Sequence, residues 1–202
     1  MPTQPPRTTE TAPPGDPDRR GGMNPKVDPG ARHSIAQVRN ESDIAAAIDL
    51  GWRFFDHVKS FPGMAEKVEF YLAHHRVAEK FAAFDEHFLP PTGDCLLARG
   101  ADGAPLGVVM LTTKSAERCE MNRMFVAEAA RGTGLGRALC IAVINRAREM
   151  GFSEMTLDTL KIFKPAIGLY SAMGFEDDPA PDRFQADDPR VLNLRRSLTE
   201  PA

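Results

Sequence analysis

Met124-Phe125-Val126-Ala127-Glu128-Ala129-Ala130-Arg131-Gly132-Thr133-Gly134-Leu135-Gly136-Arg137-Ala138-Leu139 sets three glycines between a strand-like run and the start of an apolar-faced helix. The first turn of a helix leaves backbone N–H groups unpaired and carries the positive end of the helix dipole. Where side chains are missing, a phosphate comes close enough to accept those donors, and Arg131 and Arg137 add charge-assisted contacts to the same anion. Spacing chooses among the phosphate loops that share this logic. A P-loop requires G-x-x-x-x-G-K-[ST], and the sequence has no lysine between Lys114 and Lys161. A dinucleotide fingerprint G-x-G-x-x-G counted from Gly132 meets Arg137 at its third glycine, and one counted from Gly134 meets Leu139. The pattern that fits is R-x-x-G-x-G, at Arg131, Gly134 and Gly136.

Working outward, the loop follows an antiparallel meander. Cys95 to Ala98 and Leu106 to Leu111 flank the turn signal Ala101-Asp102-Gly103-Ala104, and a third strand runs from Arg118 to Val126. After the loop, Leu135, Leu139, Ile141, Ala142, Ile144, Ala147 and Met150 supply the apolar side of a helix that stops at Gly151. Met155 to Thr159 is a strand, 164–173 a short helix closed by Gly174, and Val191 to Leu194 a late strand. Upstream, Ile35 and Val38 alternate in a short strand. A helix capped by Asn40 or Ser42 follows, with Ile44, Ala47, Ile48, Phe55 and Val58 on one face. A second apolar series from Met64 to Phe88 reads as one long helix or two short ones, stopped by Pro90-Pro91. The order is therefore β-α-α-β-β-β-α-β-α-β, within the α/β (α+β) class.

The 202 residues suffice for one ordinary domain with a tail. Residues 1–32 hold eight of the 17 prolines and four of the 16 glycines, with Val27 their only large apolar or aromatic residue apart from methionine. Such a segment cannot bury enough surface to offset its ordering entropy, so a disordered tail is expected at 1–32 and a domain at 33–202. A net charge of -3, from 25 Lys plus Arg against 28 Asp plus Glu, offers no basic face for nucleic acid. No apolar run reaches the ~18 residues of a membrane span, and no secretory pattern opens the chain. Cys95, Cys119 and Cys140 are odd in number and set in apolar stretches, which suits reduced core thiols and a cytoplasmic location. His74 and His75 diverge by ~100° on a helix and form no chelating pair, so no metal is expected.

The paired motifs, R-x-x-G-x-G at Arg131 to Gly136 and Leu169-Tyr170-Ser171-Ala172-Met173-Gly174-Phe175, resemble those of the GCN5-related N-acetyltransferase (GNAT) family over nearly all of residues 34–198. The second run is similar to the family's L-Y-x-x-x-G-F element. The resemblance implies a mixed, mainly antiparallel central sheet flanked by helices. It also implies transfer of acetyl from acetyl-CoA, the cosubstrate, to a primary amine, on a small molecule or a protein. Phe125 and Val126 would meet the pantetheine arm through their main chain, and Arg131, Gly132, Thr133, Gly134, Leu135, Gly136 and Arg137 would hold the pyrophosphate. Glu120 matches the position of the family's general base. On a regular strand it shares a face with Asn122, Met124 and Val126, and useful basicity would require partial burial, since a solvated Glu titrates at ~4.3. Tyr170 matches the tyrosine that protonates the leaving thiolate.

The sequence departs from the family at Phe163, where many members carry Asn, and at Asn122, where a similar bacterial subgroup carries Lys. The alternative from another class is a silent acyl-CoA-binding sensor or interaction module of the same fold. The acceptor stays open between small amine and protein, its pocket drawn from 41–92 and from the region after Gly174. A dimer is the base-rate expectation for oligomeric state.

Overall fold

The computed structural model describes residues 33–181 and 188–199; the expected tail at 1–32 lies outside them. Strands β1 (His33–Gln37), β2 (Gly93–Gly100), β3 (Pro105–Thr113), β4 (Arg118–Val126), β5 (Glu154–Leu160), β6 (Glu176–Asp177) and β7 (Val191–Ser197) form one sheet in the order β1-β2-β3-β4-β5-β7-β6. Every neighbouring pair is antiparallel except β4 and β5, which run parallel. That is the mixed, mainly antiparallel sheet expected. The β2–β3 hairpin turns at Gly103, whose φ of +81° requires glycine, while the Asp102 side chain accepts from the Ala104 N–H at 3.0 Å.

Helices α1 (Glu41–Lys59), α2 (Ala65–His74), α3 (Val77–Ala82) and α4 (Phe84–Phe88) precede the hairpin; α5 (Leu135–Glu149) and α6 (Lys164–Ala172) follow it. Asn40 is the cap of α1, its Oδ1 accepting from the Asp43 N–H at 2.9 Å. The region expected to hold one long helix or two is three short ones. Arg76, left-handed at φ +51°, breaks α2 from α3, and Ala83 at φ -108°, ψ 50° breaks α3 from α4. The apolar series survives these breaks because Val68, Val77, Phe81, Phe84 and Phe88 all stay buried in one core. The two-residue strand β6 is a further element the sequence order lacked.

The sheet separates two cores. On one face α5 packs Leu135, Leu139 and Ile144 onto Val109, Leu111 and Leu157; on the other α1 to α4 pack Leu50, Phe55, Val77 and Phe81 onto Leu97, Val108 and Met110. Strand alternation explains the division in β2, where Leu96 and Ala98 join the first core and Cys95 and Leu97 the second. Asp94, 1% exposed, pins the two sides together. Its carboxylate accepts from Arg39 Nη1 at 2.7 Å, from Arg146 Nε on α5 at 2.6 Å and from the Cys95 N–H at 2.8 Å.

Candidate active site

The site begins where the central ladder stops. Strand β4 pairs with β5 only from Arg118 to Glu120, opposite Glu154 to Thr156, so beyond Glu120 the two strands part and leave a gap. On its other side β4 bulges against β3: Val108 and Met110 face Phe125 and Asn122, one residue more on β4 than on β3. Arg123 absorbs the extra residue at φ +49°. The bulge reverses the alternation. Cys119 and Met121 belong to the core under α5, but after the bulge Met124 and Val126 pack on that core while Phe125 joins the opposite one. The expectation that Glu120 and Asn122 share a face with Met124 and Val126 is corrected accordingly, because an inserted residue shifts a two-residue period by one step.

One half of the gap opens at the glycine-rich loop, bordered by Arg131, Gly132, Gly136, Val126, His57 and Phe163 among others. Gly132 (φ +77°) and Gly134 (φ +89°) have conformations that favour glycine, and a Cβ at either would meet open space. Gly134 caps α5 without offering any side-chain acceptor to the helix's first turn. The N–H groups of Leu135, Gly136 and Arg137 are therefore left for an external acceptor, which fits a pyrophosphate. Leu135 itself is buried under the sheet, and the Thr133 hydroxyl bonds the Ala130 carbonyl at 2.7 Å, so both serve the loop through backbone. Arg131 borders this half with Nε on the Val126 carbonyl at 3.2 Å and its guanidinium 5.7 Å from the Phe125 ring centroid. Arg137 turns elsewhere: its side chain borders a separate groove between α5 and β7, with Arg148, Arg195 and Arg196.

The other half is a cavity between α1, α2, β4 and β5, bordered by Tyr71, Arg123, Asp158, Phe55 and Leu160 among others. Met124, Phe163 and Tyr170 border both halves. Tyr170 is 8% exposed, and its hydroxyl reaches the Met124 Sδ at 4.0 Å. Burial pushes its phenol above the ordinary value, with Cys140 and Asp158 adding to the rise. Tyr71, across the cavity, is raised by burial to about 12, against the pull of Arg123 and with Asp158 and Glu120 contributing.

Glu120 borders neither half among the described residues. It lies on the zipped part of β4, opposite Thr112 and Thr156, with its side chain 12% exposed and paired to Lys114. Its field nevertheless reaches Tyr71, which borders the cavity. Phe163, the departure noted in the sequence, stacks on His57 with centroids 6.0 Å and planes 11° apart, and meets Phe61 edge-on at 5.3 Å. Burial and the nearby Arg131 lower the His57 imidazole below its ordinary value, partly offset by Glu128. Sequence reasoning missed Tyr71, Arg123 and Asp158. Glu154 and Asp158 fall on one face of β5 by strand alternation, which was readable for Asp158, but nothing in the pattern marked the bulge that aims Arg123.

Fold and cleft together define a class of protein: a mixed-sheet domain whose one parallel strand pair opens beside a glycine-capped helix start. The model of the Acetyltransferase (GNAT) family matches residues 59–175, more than half of the chain. An uncharacterised N-acetyltransferase of Schizosaccharomyces pombe is 39% identical over 88 residues, covering 43% of this chain and 54% of that protein. An uncharacterised N-acetyltransferase of Escherichia coli is 40% identical over 70 residues, covering 35% of this chain and 42% of that protein. The chain thus spans about half or less of the length of these curated relatives. A GNAT-family acetyltransferase of Staphylococcus aureus has the same fold, with a TM-score of 0.65 at 19% identity over 82% of this chain and 99% of that one. The chain belongs to the GNAT family.

Proposed function

We propose that this protein transfers acetyl from acetyl-CoA to a primary amine. The observation that carries the reading is the parting of β4 from β5 after Glu120 and Thr156, with the open glycine loop at one end of the gap and an acceptor cavity at the other. The first-turn N–H groups of α5 would bind the pyrophosphate, with Arg131 beside them, and the backbone of β4 at Phe125 and Val126, which pairs with no strand on the β5 side, would align the pantetheine arm. Acetyl-CoA supplies an activated acyl group: its carbonyl carbon takes the amine nitrogen, the carbon–sulfur bond breaks and a thiolate leaves.

The chain's own residues move the protons. Glu120 is the base that accepts the amine proton, relayed by water past Tyr71, since its carboxylate stands back from the cavity wall. Tyr170, at the border of the two halves, is the acid toward sulfur. Burial keeps its phenol protonated across the neutral range, so the proton is present when the thiolate forms. The three buried thiols suit a reducing compartment such as the cytoplasm.

Amine-dependent release of free thiol from acetyl-CoA, followed over a panel of primary amines, tests the reading. Turnover with at least one amine is expected, and Tyr170→Phe should lower kcat without altering acetyl-CoA binding. Binding of acetyl-CoA without transfer to any amine would favour the silent sensor instead.

A further inference from the structure

We propose that Arg123 anchors the carboxylate of a zwitterionic acceptor, so that the substrate is an amine that also carries a carboxylate; this rests on the acyl-transfer reading. Strand β4 accepts a left-handed, non-glycine residue to place this side chain, at φ +49°, a conformation that costs about 1–2 kcal/mol in an ordinary residue. The guanidinium lies 5.2, 5.6 and 5.8 Å from the ring centroids of Phe88, Phe81 and Phe55. Among the described residues its one hydrogen bond is Nη1 to the neighbouring Asn122 Oδ1 at 2.9 Å, and its buried Nε meets no acceptor. Among the described residues no carboxylate pairs with it. A half-buried guanidinium with an incomplete set of acceptors carries a cost that aromatic faces offset only in part. A ligand carboxylate, planar and able to accept two parallel bonds, would complete the fork.

The cavity supplies the other half of a zwitterion site. Arg123 on β4 and Asp158 on β5 both border it, a cation and an anion on neighbouring strands; Glu120, set back from the wall, acts on the same Tyr71 and His75 as Arg123 does. Tyr170, where the acyl carbonyl would sit, borders the same cavity. An amine carrying a carboxylate enters with its nitrogen toward the reacting end. Of the remaining charges at the cavity, Arg190 is paired with Asp188, and Lys67 borders the wall on α2.

The test compares kcat/KM for matched pairs, each an amino acid and the amine left when its carboxyl group is removed: glycine and methylamine, β-alanine and ethylamine, 4-aminobutyrate and propylamine, tyrosine and tyramine. The wild type should prefer the carboxylated member of its best pair by about 10–100-fold, the discrimination expected of hydrogen bonds to a charged group. Arg123→Met should collapse that ratio toward one through KM, and Arg123→Lys, which keeps the charge and loses the fork, should fall between. Equal rates on both members in the wild type, or an equal loss on both in the variants, would overturn the anchor while leaving the transferase standing. Transfer to no amine would overturn both. Should Arg123→Met not fold, Arg123→Lys and the wild-type ratio still decide.

Discussion

Between Arg118 and Glu120, β4 is bonded on both sides, to β3 and to β5; from Asn122 to Val126 it is bonded to β3 alone, and across a bulge. The zipped half carries Cys119, fully buried, its thiol pushed by burial up to about 12 and so kept out of nucleophilic chemistry. The open half carries Arg123 and Met124 on the cleft wall, with backbone groups facing no second strand. One strand thus does two jobs, and the change falls where the ladder ends. A continuous ladder satisfies its own backbone and offers nothing to a ligand, while a parted one leaves donors and acceptors to be satisfied by the substrate.

The largest effect expected belongs to the junction between the halves. Glu120→Gln should lower kcat about 10²–10⁴-fold, the usual worth of a general base, while acetyl-CoA binding persists; steady-state kinetics beside a binding titration checks both. A change under about threefold would remove Glu120 from the mechanism and move the search to Asp158, the carboxylate on the open side.

A second prediction concerns stability alone and lies away from the gap. Asp94→Asn should cost about 1–3 kcal/mol in urea unfolding, because it removes the charge that Arg39 and Arg146 share, while both arginines keep contact with solvent and Arg146 keeps Glu149. Burial by itself would raise the Asp94 carboxyl, but the bonds from Arg39, Arg146 and Cys95 outweigh it and hold the carboxyl below the ordinary value. Its contribution is therefore complete above the unfolded value near ~3.9 and is lost as pH falls through the lower folded value. The variant should lack that acid limb. Equal acid sensitivity in both proteins would assign the limb to other groups.

The smallest effect is at the cleft floor. A Cβ at Gly136 would make ordinary contacts of 3.7 Å with Leu169 and Met124, so Gly136→Ala should add about 0.5–1 kcal/mol of stability by relieving a helical glycine. The same methyl narrows the cofactor half, so the KM for acetyl-CoA should rise. A destabilised variant would show that the floor is tighter than these contacts indicate.

The loop, α5 and the meander were legible because each is written locally: glycines where φ is positive or space is needed, a 3.6-residue apolar period, and a turn signal between alternating runs. Strand β4 was readable to its end residues, Arg118 and Val126. Its interior was not, since a bulge built on Arg123 rather than on glycine leaves no compositional mark, and every side-chain direction downstream of it changes. The breaks at Arg76 and Ala83 were hidden for a related reason: the buried residues of α2 to α4 keep a common core although the helix does not continue. Of the anticipated anion contacts, Arg131 borders the cleft and Arg137 does not: Arg131 stands in the extended loop ahead of the helix, whereas Arg137 lies in the first turn of α5 and faces the groove on the β7 side. Asp158 and Tyr71 meet across the cavity from elements far apart in sequence, a proximity that only the tertiary structure supplies.

The most direct test of an acetyl-CoA cleft at the open half of β4 is thermal unfolding with and without acetyl-CoA, in the wild type and in Gly134→Asp. Ligand at 100 times its dissociation constant contributes about 2.7 kcal/mol, a rise of roughly 5–11 °C for a domain of this size. The wild type should show that rise. Gly134→Asp should lose it, because the new carboxylate repels the pyrophosphate at the start of α5. No rise in the wild type at millimolar acetyl-CoA, or an equal rise in the variant, would contradict the account.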